Sequence, residues 1–111
     1  MKDRELLELA AKAAGIQILE WRTDDGGYPV GTNVPGRDSY PWCWNPLKND
    51  GDAQRLVVKL KMCFGPNVTE ENVVCFDDNC NNLIEPLLPD PYAATRRVIV
   101  RVAAEIGKAM P

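Results

Sequence analysis

The sequence predicts one α+β domain spanning residues 1–111, with helices packed on a small antiparallel sheet as a helix–sheet–helix sandwich. Three observations carry that expectation. Two segments near the ends repeat their apolar residues at helical spacing, and a third does so in the middle. Between them lie short β-branched and aromatic runs bounded by glycine, proline and asparagine. The length of 111 residues with 45% hydrophobic side chains suits one core.

The first element is a helix, with Asp3 as its expected cap. Leu6, Leu7, Ala10, Ala13 and Ala14 share one side and Arg4, Glu8 and Lys12 the other. Gly15 supplies a left-handed stop, and residues 16–21 read as a strand. Residues 22–41 read as a long surface loop, because Asp24-Asp25-Gly26-Gly27, Pro29, Gly31, Pro35, Gly36 and Pro41 interrupt any long element. Within it Tyr28-Pro29-Val30 suits a short edge strand. The aromatic residues 42–47 and an acidic turn are followed by a helix from about Asp52 to Met62, buried along Ala53, Leu56, Val57 and Leu60. Asn49 or Asp50 caps it. Residues 73–76 and 83–85 form a hairpin joined through residues 78–82. Asp90 and Pro91 then start a last helix to about Ala109, with Arg101 and Glu105 at pairing distance. The order is α-β-(loop)-α-β-β-α.

Charge and composition restrict the chemistry. Thirteen basic against sixteen acidic residues give a net charge of −3, without a general attraction for nucleic acid or anionic lipid. The chain has no histidine, so the usual neutral-pH proton carrier and the usual base for a serine or cysteine nucleophile are missing. These features argue against an enzyme, and no cofactor is expected. Met1 runs directly into Lys2, Asp3, Arg4 and Glu5, and no long apolar run follows, so neither a targeting segment nor a membrane span is expected.

Cys43, Cys63, Cys75 and Cys80 lack the paired spacing of a structural zinc site, and read as reduced, mostly buried small side chains. Asp24-Asp25, Asp50 with Asp52, and Asp77-Asp78 sit where turns and helix starts favour acids. Asp50-Gly51-Asp52 is the fallback for a weak cation site, although no metal site is expected.

Two features suggest binding. Tyr40, Trp42 and Trp44 share one parity, so on a strand their rings project together, as core packing or as an exposed platform. Charge is also segregated. Phe64 to Asp90 carries six acids and no base, whereas Arg96, Arg97, Arg101 and Lys108 dominate the last helix. Either the two regions neutralise each other, or the helix offers a basic surface to an anion or nucleic acid. Four bases without adjacent aromatic platforms do not favour nucleic acid.

Two stretches also resemble a known family: Trp44-Asn45-Pro46-Leu47 continuing through residues 51–60, and residues 90–101 from Asp90-Pro91-Tyr92 to Arg101. They resemble small prophage-encoded proteins with the phage ABA sandwich domain. There an aromatic-and-proline strand leads through an acidic turn to a helix with an Asp-Ala step, before a hairpin and a helix with an Ala-x-x-Arg motif. The resemblance covers most of residues 16–110 and implies a helix–sheet–helix sandwich of phage origin. It carries over no catalytic residue, and the loop at 22–41 and the cysteines depart from it.

The resulting expectation is a non-enzymatic phage or prophage accessory protein of the bacterial host cytosol. It would bind a protein partner through the loop from Asp24 to Tyr40 with Tyr40, Trp42 and Trp44, in host inhibition or anti-defence. The alternative is a nucleic-acid-binding regulator using Arg96, Arg97 and Arg101.

Overall fold

The computed structural model describes residues 2–22, 28–38, 40–67, 69–78 and 81–111. Three helices and two three-stranded antiparallel sheets make up an α+β fold. In chain order they are α1 (Asp3–Ala14), β1 (Gln17–Arg22), β2 (Tyr28–Thr32), β3 (Trp42–Cys43), α2 (Asp50–Leu60), β4 (Cys63–Asn67), β5 (Asn72–Phe76), β6 (Asn82–Pro86) and α3 (Pro91–Ala109).

The long last helix is the centre of the molecule. Asp90 accepts from the Tyr92 and Ala93 amides, and Pro91 occupies the first turn, where its missing N–H costs nothing. Val98, Ile99, Val100, Val102, Ala103, Ala104 and Gly107 are all buried. Consecutive buried positions mean that α3 is enclosed on several sides, by α1, α2 and the β4–β5–β6 sheet. The buried face of α1, formed by Leu6, Leu7, Ala10, Ala11 and Ala14, packs against it. Their crossing is close: a Cβ added at Gly107 would sit 2.8 Å from the Leu9 carbonyl carbon. Lys12 Nζ also donates to the Met110 carbonyl at 3.0 Å, tying the two helix ends.

The β4–β5–β6 meander covers another side of α3. Val73 and Cys75 of β5 point inward and are buried, whereas Phe76 and Ile84 are exposed on the outer face. The register pairs Val73 with Glu85 and Cys75 with Leu83, so the expected hairpin is present. It is closed by Asp77, whose carboxylate accepts from the Asn81 backbone and side-chain amides at 3.0 Å each.

Several expectations need correction. Asp3 does not cap α1. Lys2 holds the N-cap position without a side-chain bond, and Asp3 pairs with Arg97 Nη1 at 3.0 Å. α2 starts at Asp50, capped by Asn49, and ends at Leu60, where Lys61 turns left-handed with φ 55°. That turn frees residues 63–67 to form β4, which its Gly-Pro step had hidden; β4 is an edge strand, where proline is tolerated. Arg101 pairs with Glu85 at 2.8 Å instead of with Glu105.

The largest difference lies in the expected loop. Tyr28–Thr32 is the central strand of the β1–β2–β3 sheet, paired on both sides. Proline sits there because its missing donor falls where β3 stops. The Trp44 amide donates to the Pro29 carbonyl at 3.0 Å, and Pro29 has no N–H to return. Gly31 is needed because a Cβ would lie 2.8 Å from the Gln17 carbonyl oxygen. Asp24, Asp25, Gly26 and Gly27 lie outside the described residues, as does Cys80.

Candidate interaction surface

The tight turn after β2 builds the site. Val34 is buried and anchors the chain, and the Arg37 amide donates to the Val34 carbonyl at 3.0 Å. Pro35 presets the first central position and Gly36 takes φ +77° at the second, the combination that a type II turn requires. This turn delivers Arg37 and Asp38 to the aromatic residues entering β3.

Asp38 organises them. Its Oδ1 accepts from the Tyr40 amide and from the Trp42 indole N–H, both at 3.0 Å. The Arg37 guanidinium lies over the Trp42 ring, 4.4 Å from its centroid. Tyr40 meets Trp42 edge-on, with centroids 6.3 Å apart and planes at 71°. The Trp42 hydrogen bond above all, then the Tyr40 amide, hold the Asp38 carboxyl below its ordinary range; desolvation opposes them, and the Arg37 charge adds a lesser pull downward. Tyr40 is 71% exposed and Trp42 half-buried, so an amphipathic aromatic pair is presented with part of its freedom already removed.

Trp44 is not part of that surface. β3 ends at Cys43, the parity argument stops there, and the Trp44 ring turns into the core at 1% exposure. Of the three aromatics the sequence grouped, the structure leaves two together at the surface and places the third inside. Arg37 and Asp38 were missed. Their signal was the spacing Asp38-x-Tyr40-x-Trp42, since an aspartate readily accepts from the amide two residues on.

The three arginines of α3 do not form a free surface. Arg96 donates to the Leu47 carbonyl at 2.9 Å and to Asp50 at 2.7 Å. Arg97 pairs with Asp3 and lies 3.8 Å from Glu85. Arg101 donates to Glu85 and to the Ile84 carbonyl at 3.3 Å. Internal neutralisation, one of the two readings of the charge pattern, thus holds for Arg97 and Arg101, while Arg96 draws its partner from α2.

The Asp50 carboxylate is taken by Arg96. Asp52 is buried, accepting from the Asn45 amide at 2.9 Å and pairing with Arg55 at 3.1 Å. Among the described residues no three or more ligating side chains gather. Cys43, Cys63 and Cys75 are free thiols, the first two exposed rather than buried. Cys75 is buried with its Sγ 3.6 Å from Met62 Sδ; burial above all, helped by Asp77 and Cys63, pushes its pKa up to about 12. No helix among the described residues is long and apolar enough to cross a membrane.

Compared with known family models, curated proteins and solved structures, the chain matches none.

Proposed function

We propose that this chain is a non-enzymatic accessory protein that acts by binding a protein partner through the Arg37–Asp38–Tyr40–Trp42 surface. The observation that carries the reading is the organisation of that surface. Tyr40 stands at the exterior with Trp42 half-buried beside it, held by a carboxylate and a guanidinium, while the third aromatic in the segment, Trp44, is kept for the core. Tyrosine, tryptophan and arginine are the residues that dominate binding hot spots, and ordering them beforehand lowers the entropy cost of association. The resemblance to phage ABA sandwich proteins suggests a phage or prophage setting, with action in the bacterial cytosol on a host component.

The nucleic-acid alternative has less support. Arg96, Arg97 and Arg101 each serve a carboxylate of the same chain, so phosphate contacts would have to break those pairs. A mobility shift at low salt, where phosphate contacts are strongest, is expected to show no binding.

Affinity capture from bacterial lysate tests the main reading, using the wild type, Trp42→Ala and Tyr40→Ala at equal folded concentration. A partner retained by the wild type and weakened by about 2 kcal/mol, roughly thirtyfold, in either variant supports it. Partners that bind all three equally contradict it.

A further inference from the structure

The same turn borders a second feature, on the outer face of α2. A groove of about 330 Å³ lies between Pro35 and Gly36 on one side and Gln54, Arg55, Val58 and Lys59 on the other. Its lining is mainly apolar. Val58 is 69% exposed on that face, a β-branched apolar residue where an isolated α2 surface would favour a polar one. Gly36 lets the turn approach closely, since a Cβ there would lie 3.1 Å from Arg55 Cδ.

The rim is cationic. From Ala53 to Thr69 the chain carries Arg55, Lys59 and Lys61 and no acid, within a protein of net charge −3. Lys59 makes no ion pair among the described residues, and the acids of the neighbouring segments, Asp52 and Asp38, are occupied. Asp52 is buried against Arg55 and the Asn45 amide, and Asp38 serves Trp42 and Tyr40. The negative end of the α2 dipole accounts for a base in its last turn. It does not account for an apolar groove beside that base, continuous along the chain with the Arg37–Trp42 pair.

We propose that this groove receives an acidic segment of the protein partner, with one apolar side chain seated against Val58 and Pro35 and a flanking carboxylate facing Lys59. The assignment rests on the binding surface proposed above and names the chemistry of its partner. Nucleic acid fits less well. A phosphate backbone has no apolar group for the groove, and Arg37 already covers one face of the Trp42 ring that a base would stack on.

A displayed library of random peptides, selected on the purified full chain, tests this. Selected sequences are expected to concentrate Asp and Glu around a single large apolar residue. A selected peptide, titrated by fluorescence anisotropy, should bind Val58→Asp and Lys59→Glu at least about tenfold more weakly than wild type, with a shallower salt dependence for Lys59→Glu. Ile84→Thr, on the outer face of the other sheet, should leave binding unchanged. Basic or uncharged consensus sequences, an empty selection, indifference to both groove substitutions, or displacement of the peptide by mixed-sequence DNA each overturn the assignment. Failure of the two proposals is separable. If lysate capture depends on Trp42 but no acidic consensus emerges, the surface stands and the partner class falls. If acidic peptides depend on Val58 and Lys59 while capture ignores Trp42 and Tyr40, the aromatic surface falls instead.

Discussion

Replacing Gly107 with alanine sets two effects of opposite sign against each other. Alanine in a helix interior is favoured over glycine by about 0.8–1 kcal/mol, so an unobstructed site would be stabilised. At Gly107 the new methyl would overlap the Leu9 carbonyl oxygen and come within 2.8 Å of its carbon, so the obstacle is backbone and cannot rotate away. Relief requires α1 to move off α3. That loosens the contact of Leu6, Leu7, Ala10 and Ala14 with the most buried part of the core. Overpacking of this kind costs typically about 1–3 kcal/mol, and a backbone obstacle places the cost at the upper end. The net expectation is a loss of roughly 2 kcal/mol, which lowers the melting temperature by about 4 °C or more per kcal/mol in a domain of this size. Urea titration followed by circular dichroism reads it directly. A variant equal to or more stable than wild type would show that α1 and α3 do not cross closely at this point, and would refute the packing described.

Other perturbations separate core from surface. Trp44→Ala should cost about 3–5 kcal/mol in urea denaturation, whereas Trp42→Ala should leave most stability intact, because only the first ring is enclosed. Asp52→Ala should destabilise by about 1–3 kcal/mol, since it strands the Asn45 amide and frees Arg55; Asp50→Ala, more exposed, should cost less. Cys75 stays protonated in the fold to a pKa of about 12, while an unfolded thiol ionises near about 8.5. The native state therefore holds more protons than the unfolded one across that interval. Stability falls as pH rises through it, by at most about 1.4 kcal/mol per unit. The urea midpoint of wild type should consequently drop more than that of Cys75→Val between about pH 8 and pH 10.

Those features that rest on local chemistry were legible in the sequence. The Asp90-Pro91 start and the helical spacing of apolar residues after it predicted α3, Gly15 predicted the end of α1, and Asn-rich residues marked the turn of the β5–β6 hairpin. β2 was hidden because Pro29 and Gly31 read locally as interruptions. Their reasons are tertiary: one stands where a ladder ends, and the other against Gln17. The charge pattern was visible, but its resolution was not, because Arg97 finds Asp3 across 94 positions of chain. For the candidate surface, spacing alone grouped Tyr40, Trp42 and Trp44. The length of β3 decided which of them shared a face, and a two-residue strand carries no periodicity to read.

The most direct measurement of the central claim is site-specific photo-crosslinking in bacterial cells, with a photoreactive phenylalanine analogue placed at Tyr40 or, as the comparison, at Ile84. Both positions are exposed; Tyr40 precedes β3, and Ile84 lies in β6 of the other sheet. A discrete protein adduct is expected from position 40 and none from position 84. Equal labelling at both positions, or adducts from position 84 alone, would contradict the claim.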